Sequence, residues 1–347
     1  MWRILSGTWK IDGQAPALAI QLTLHSILTR KTPLRPRLRA ARGDLLFLLA
    51  LGITLCGARG QTAYEPGKSY FGRGNYVEYI AGDAPLIISA PHGGSLRPAG
   101  IPDRKEGEFT SDAHTEELAR ALQQAFHDRF GHHPHVIICR LDRRKVDCNR
   151  DIEEGAGADA NARRAWTEFQ DFIEIARSNV LASAGTGFYL DLHGQSHAVK
   201  RVELGYCLAD SQLTNANRVL NEPGYADRST IRTLARRTGL PFSELLRGTN
   251  SLGALLAARG YPAVPSPSMP SPGSGNSYFD GGYNVRRHGS LNGGPIDGVQ
   301  IEVNYGGIRD TASNRANFSR ALAQVFDAFF SCYYGLDLRM GAALRSR

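Results

Sequence analysis

The sequence predicts an α/β fold, a single mostly parallel or mixed central sheet with helices on both faces. Three observations carry that prediction. Short apolar runs bounded by turn residues recur along the chain, as buried strands do. They alternate with stretches whose apolar residues fall at helical spacing, the pattern of a sheet covered on both sides. Two of the runs end abruptly in polar clusters in which a His is followed by Gly. Strands of that form deliver side chains to the carboxyl edge of an open sheet, where α/β proteins place their sites.

Taken in order, residues 1–60 read as an N-terminal extension, 61–335 as the folded domain and 336–347 as a tail. Within the extension, about a dozen apolar residues at 45–56 follow Arg35, Arg37, Arg39 and Arg42. A comfortable membrane span needs about 20. A basic flank, a short apolar core and small residues behind it instead have the form of a secretory signal over about 43–60. The expectation is a secreted or periplasmic protein; an uncleaved anchor through residues 45–56 is the alternative.

A strand is expected at 76–80 and a confident one at 85–90. A helix follows, N-capped by Thr110 or Ser111, with Leu118, Leu122, Ala125 and Phe126 inward and a stop near Gly131. Strand 135–141, a dense polar loop at 142–151 and a long helix at about 158–184 come next. Strands at 187–193 and 202–208 precede a region of helices broken by Gly and Pro over 211–260. Residues 262–295 are rich in Pro, Gly and Ser and too long for a plain connector, which suggests a lid or pocket wall. A strand at 298–304 and a helix at 313–330 close the chain.

The formal charge of +8 is concentrated at one end. Residues 1–60 hold nine Lys+Arg and two Asp+Glu, leaving 32 against 31 in the remainder. A nearly neutral body without a basic stripe argues against a nucleic-acid partner. Five cysteines without a CxxC pair argue against a thiolate metal site. In an exported chain the four after Cys56 could pair.

The chemistry is concentrated at the two strand ends. His92 and His193 each stand at the end of a strand with Gly directly after, so two imidazoles converge on one edge and suit a metal such as zinc. A third ligand is wanted. Asp112, at the first turn of the following helix, is the leading candidate, with Glu116 on the same face at i+4 as the alternative. Glu302 interrupts an apolar strand, and an unpartnered buried carboxylate is costly. It is therefore the candidate for the group that takes a proton from attacking water and passes it to a leaving amine. Arg143, Asn149 and Arg150 share the polar loop, and Arg forks bind carboxylates bidentately. Arg287 and His288, with Arg286, could reach the same cavity.

Together these segments resemble the N-formylglutamate amidohydrolase family, itself similar in fold to zinc carboxypeptidases. The carrying stretches are Ala90-Pro91-His92-Gly93-Gly94, Ser111-Asp112-Ala113-His114-Thr115, Lys145-Val146-Asp147-Cys148-Asn149-Arg150, Asp191-Leu192-His193-Gly194, Gly281-Gly282-Tyr283 with Arg287-His288-Gly289, and Val299-Gln300-Ile301-Glu302. The resemblance implies one Zn2+ per chain held by His92, His193 and an acidic residue, with Glu302 as acid/base. It also implies Asn149 and Arg150, with Arg143, as holders of a substrate carboxylate. This sequence departs from the pattern in two places. The carboxypeptidases' His-x-x-Glu is missing, since Ser95 stands three residues after His92. Gly194-Gln195-Ser196-His197 follows His193 where the deformylating enzymes usually have His-Ser.

The expected activity is zinc-dependent hydrolysis of a C–N amide bond in a small-molecule or peptide substrate with a free carboxylate, such as N-formylglutamate or another N-acyl amino acid. A carboxypeptidase, or a γ-glutamyl or cell-wall amide hydrolase, is the alternative within enzymes. A non-catalytic surface binding protein on the same fold is the alternative outside them.

Overall fold

In the computed structural model of the chain, residues 64–340 are described. The predicted signal segment and the whole N-terminal extension, residues 1–60, lie outside them. Among the described residues no helix is long and apolar enough to cross a membrane.

Eight strands form one sheet, in spatial order β1-β2-β4-β3-β5-β8-β6-β7. They are β1 (Ser69–Phe71), β2 (Val77–Ile80), β3 (Leu86–Ala90), β4 (His135–Cys139), β5 (Gly187–Gln195), β6 (Val202–Gly205), β7 (Ala263–Val264) and β8 (Ile296–Asn304). The central four, β4-β3-β5-β8, are parallel. β2 joins β4 and β6 joins β8 antiparallel, so the sheet is mixed. β5 and β8 pair along all nine residues of each, from Gly187 opposite Ile296 to Gln195 opposite Asn304. That register carries both strands past their expected ends at 193 and 298.

The two faces follow from alternation along the strands. Phe188, Leu190 and Leu192 of β5 and Val299, Ile301 and Val303 of β8 share one apolar cluster. Helices α1 (Thr115–Phe130) and α4 (Ala312–Tyr334) cover that face. On the other face, Ile87, Ile137, Tyr189 and Ile296 meet helix α2 (Ala160–Ala184) through Ala165, Phe169, Ile173, Ala176 and Val180. α2 starts where the Asp159 carboxylate accepts the N–H groups of Asn161 and Ala162, and stops at Gly185 with φ 71°.

Several expectations need correction. α1 begins at Thr115, three residues after Asp112, because His114 adopts φ 65° and breaks the helical path there. Asp112 is therefore in the turn before the helix, not in its first turn. β6 stops at Gly205, where the backbone of Asp280 and Gly281 packs so closely that a side chain has no room. The helical region between β6 and β7 is six short pieces, from Asp210–Leu213 to Leu252–Ala257. Leu336 and Leu338, in the first residues of the segment read as a tail, are buried in the main cluster. Cys139, Cys148, Cys207 and Cys332 are all free thiols.

The stretch 262–295 is a wall tied to the sheet, and it carries β7 and helix α3 (Tyr283–His288). Arg201 donates to the carbonyls of Pro272 (2.8 Å) and Ser277 (3.1 Å). The Tyr278 hydroxyl donates to Leu204 O (2.7 Å), and the N–H of Phe279 to Glu203 Oε2 (3.0 Å).

Candidate metal centre

The apolar alternation changes character at the carboxyl edge of the sheet. On the face shared with Tyr189, β5 continues with Asp191, His193 and Gln195, and β8 with Gln300, Glu302 and Asn304. The register sets them in rows, Asp191 beside Gln300, His193 beside Glu302 and Gln195 beside Asn304. β6 adds Glu203 opposite Glu302. The loop after β3 brings His92 to the same edge, and the two imidazole centroids are 4.7 Å apart.

Each imidazole is held at one nitrogen by a carboxylate. His92 Nε2 lies 2.7 Å from Asp147 Oδ1, and His193 Nε2 lies 3.0 Å from Asp191 Oδ2. Asp147 is itself held by Arg143 Nε (2.9 Å) and the N–H of Asn149 (2.9 Å). Asp191 accepts from Ser89 Oγ at 2.6 Å. With Nε2 engaged by a carboxylate in both rings, both Nδ1 atoms are left facing Asp112 Oδ2. The separations are 3.4 Å from His92 and 3.1 Å from His193. Asp112 is fixed in turn by the Gly194 N–H on Oδ2 (3.1 Å) and by its own N–H on His92 O (3.0 Å).

That geometry fits a metal. His92, Asp112 and His193 are buried and offer ligand atoms within 4.8 Å of one another. Bonds of about 2.0–2.1 Å in tetrahedral zinc place ligand atoms about 3.3–3.4 Å apart. His92 Nδ1 is buried with no hydrogen-bond partner among the described residues, an atom that a cation would satisfy. Carboxylates behind ligating imidazoles fix the tautomer and raise the basicity of the other nitrogen.

The electrostatics agree. Burial pushes Asp112 up, but the neighbouring His193 and His92 outweigh it and hold the carboxyl well below its usual range. Asp147 is held down against the same burial by His92 and Arg143. Burial favours neutral His193, yet Asp191, Asp112 and Glu302 together raise it well above an ordinary histidine. A divalent ion would displace the proton so gathered. Glu302 moves the other way. Burial, with Asp112, Glu203 and Asp191 nearby, pushes it up to about 8 against the pull of His193. Its one close partner is Gln300 Nε2, at 2.9 Å from Oε1. Glu203, directly opposite, accepts from His197 Nδ1 (3.1 Å), Arg201 Nε (3.4 Å) and the Phe279 N–H (3.0 Å). Among the described residues Glu203 has three donors where Glu302 has one, and it is the less-partnered carboxyl that burial raises.

The other predicted residues divide. Asn149 is at the site: its Oδ1 accepts the Asn284 N–H (2.8 Å), which turns Nδ2 toward His193 Nε2 (3.2 Å). Arg143 is beside the site but committed to Asp147 and Thr110 O, with Nη1 3.9 Å from Asp112 Oδ1. Arg150 pairs with Glu154 at 2.9 Å, and Arg287 lies over Trp166 and Tyr283. His288 is buried between Glu174 (3.0 Å) and Gln170 (2.7 Å), joining α3 to α2. Glu116 is not in the cluster; it pairs with Arg120 at 2.8 Å. Sequence reasoning missed Asp147, Asp191, Glu203 and Gln300. The period-two alternation of β5 and β8 was the available signal for Asp191 and Gln300.

No family model matches the chain. No curated protein matches it either. Among solved structures it is similar to N-formylglutamate amidohydrolase from Ralstonia eutropha JMP134. There the identity is 14%, over 74% of this chain and 97% of that one, with a TM-score of 0.45. A gene product of Agrobacterium tumefaciens gives 14% identity, 74% and 96% coverage and a TM-score of 0.42. The apo form of an N-acetylmuramyl-L-alanine amidase from Mycobacterium abscessus gives 14%, 71% and 98%, and 0.30. At such identities no residue's role passes from those proteins to this one.

Proposed function

We propose that this chain is a metal-dependent hydrolase of C–N amide bonds, using a zinc ion held by His92 Nδ1, His193 Nδ1 and Asp112. One observation carries the reading: two carboxylate-backed imidazoles turn their Nδ1 atoms onto a third buried ligand, with the raised Glu302 carboxyl beside His193 in the same row. A zinc ion there would supply Lewis acidity toward an amide carbonyl and acidify water. The chain's own residues do the rest. Asp147 and Asp191 hold the two rings in one tautomer. Glu302, desolvated and opposite Glu203, is placed to hold the proton that a leaving amine requires. Asn149 Nδ2 faces the histidines as a donor to a substrate oxygen.

The substrate we favour is an N-acyl amino acid, with N-formylglutamate as the first member to try. The fate of the loop arginines shapes this choice. Arg150 and Arg287 are engaged elsewhere, so a substrate carboxylate falls to Asn149 and to whatever part of the Arg143 fork remains. We also read residues 43–60 as an export signal, which N-terminal sequencing of the mature protein tests.

The deciding experiment pairs metal analysis with turnover. Protein beginning near residue 61 should take up about one zinc per chain, and His92→Ala and His193→Ala should lose it. Glu302→Gln should keep the zinc and lose at least about 100-fold in kcat on N-acyl amino acids. Full turnover by Glu302→Gln removes Glu302 from the reaction. Zinc uptake without hydrolysis of any amide favours a binding protein.

A further inference from the structure

Arg309 is an anomaly. It is 2% exposed, yet among the described residues it makes no ion pair. Buried charges are ordinarily paired. Its guanidinium instead donates to three carbonyls: Nε to Val303 O (3.1 Å), Nη2 to Gln195 O (3.0 Å) and Nη1 to Ala113 O. These carbonyls belong to the end of β8, the end of β5 and the turn that carries Asp112. The fork passes directly over Gly194, where a methyl group would overlap it.

The turn it grips is strained. His114 holds φ 65°, a left-handed conformation that a non-glycine residue adopts only when its surroundings impose it. This bend ends the run toward α1 and leaves Asp112 facing His92 and His193. The same downstream segment touches the bend twice. Tyr305 stacks on the His114 ring (centroids 6.1 Å, planes 27° apart), and Arg309 lies beneath Tyr305 at 5.4 Å. The segment is anchored to α4 by Arg315, whose Nη1 donates to Arg309 O (2.6 Å), and is closed on itself where Asp310 Oδ2 accepts the Gly307 N–H (3.0 Å).

We infer that residues 305–309 form a latch that holds Asp112 in its ligand position, with Arg309 and Tyr305 as positioning residues for the metal centre. The inference rests on the metal reading above for its consequence, and on the 112–114 bend for its geometry. A planar three-way fork is needed, so Lys cannot replace Arg309.

Two measurements on Arg309→Lys and Tyr305→Ala test it. The first is amide exchange in the metal-free protein. Gly194 N–H, which donates to Asp112 Oδ2, and Asp112 N–H, which donates to His92 O, should exchange at least about 10-fold faster than in wild type, while Leu190 N–H is unchanged. Unchanged exchange at both positions overturns the latch, whether or not any metal binds. The second is zinc affinity by chelator competition, expected to fall about 10–100-fold in Arg309→Lys with the protein still folded. A variant that melts earlier but binds zinc as tightly as wild type makes Arg309 a structural clamp only and also overturns the inference. Wild-type protein that takes up no zinc sinks the metal reading, and the exchange result then decides the latch alone. If Arg309→Lys fails to fold, Tyr305→Ala decides it, because that side chain is 41% exposed and its loss is tolerable.

Discussion

His92 and His193 each spend one ring nitrogen on a carboxylate and turn the other to Asp112. The supporting carboxylates should therefore matter almost as much as the ligands. Asp147→Asn and Asp191→Asn are expected to weaken zinc binding about 10–100-fold, read by competition with a chelator. Affinity equal to wild type in both would show that the rings are oriented by packing alone. A second histidine makes a separate prediction. His135 is buried, and its Nδ1 accepts from the Tyr79 hydroxyl (2.8 Å) and the Gly82 N–H (3.2 Å). Burial pushes its pKa down to about 4, against a slight pull upward from Asp83. The unfolded chain then binds a proton at higher pH than the folded one. The sign follows: stability is unaffected above about pH 6.5 and falls as pH drops toward 4, by about 3 kcal/mol. Urea titrations of wild type and His135→Gln between pH 7 and 4 should converge as pH falls; parallel curves would clear His135 of that role.

At the level of elements, the site depends on how closely loops lie against strands. Gly94, two residues after His92, packs on the backbone of Arg140 at the end of β4, leaving no space for a methyl group. Gly94→Ala should cost about 1–3 kcal/mol in urea unfolding and displace His92, lowering metal affinity as well. A fully stable variant would mean the loop can give way. The wall at 262–295 acts in the same manner. Gly282 sits against Asn149 and Gln300, so α3 and the wall close one side of the site without a hinge. The 305–309 segment does the corresponding job on the other side, through Arg309 and the bend at His114.

For the whole molecule, a metal held by the buried His92, Asp112 and His193 would couple its binding to folding. Zinc at about 100 times its Kd should add about 2.7 kcal/mol to the folding free energy, provided the unfolded chain does not bind it. Thermal melts with zinc and after chelator treatment check this directly, and coincident melts would argue against the centre. The nearly neutral body, 32 Lys+Arg against 31 Asp+Glu beyond residue 60, offers no long-range field.

The sequence alone determined six of the eight strands, the long helical covers and the placing of the two histidines at strand ends, because strand alternation and helical spacing are local patterns; β1 and β7, of three and two residues, are too short to carry one. Phe188, Leu190 and Leu192 against Tyr189, Asp191 and His193 already separate the two faces of β5. Val299, Ile301 and Val303 against Gln300 and Glu302 do so for β8. The pairing of Arg150 with Glu154 was also open to reading, being an i,i+4 pair. Only the tertiary structure decided which polar groups meet. Asp112 takes its place from Gly194, 82 residues away, and from an Arg309 that grips Ala113 across 196 residues. Arg143 also meets a carboxylate four residues on, Asp147, but only the fold turns that carboxylate toward His92. The physical reason is that a side chain's hydrogen-bond partners are set by the register of distant strands and the course of loops between them, which no local pattern encodes.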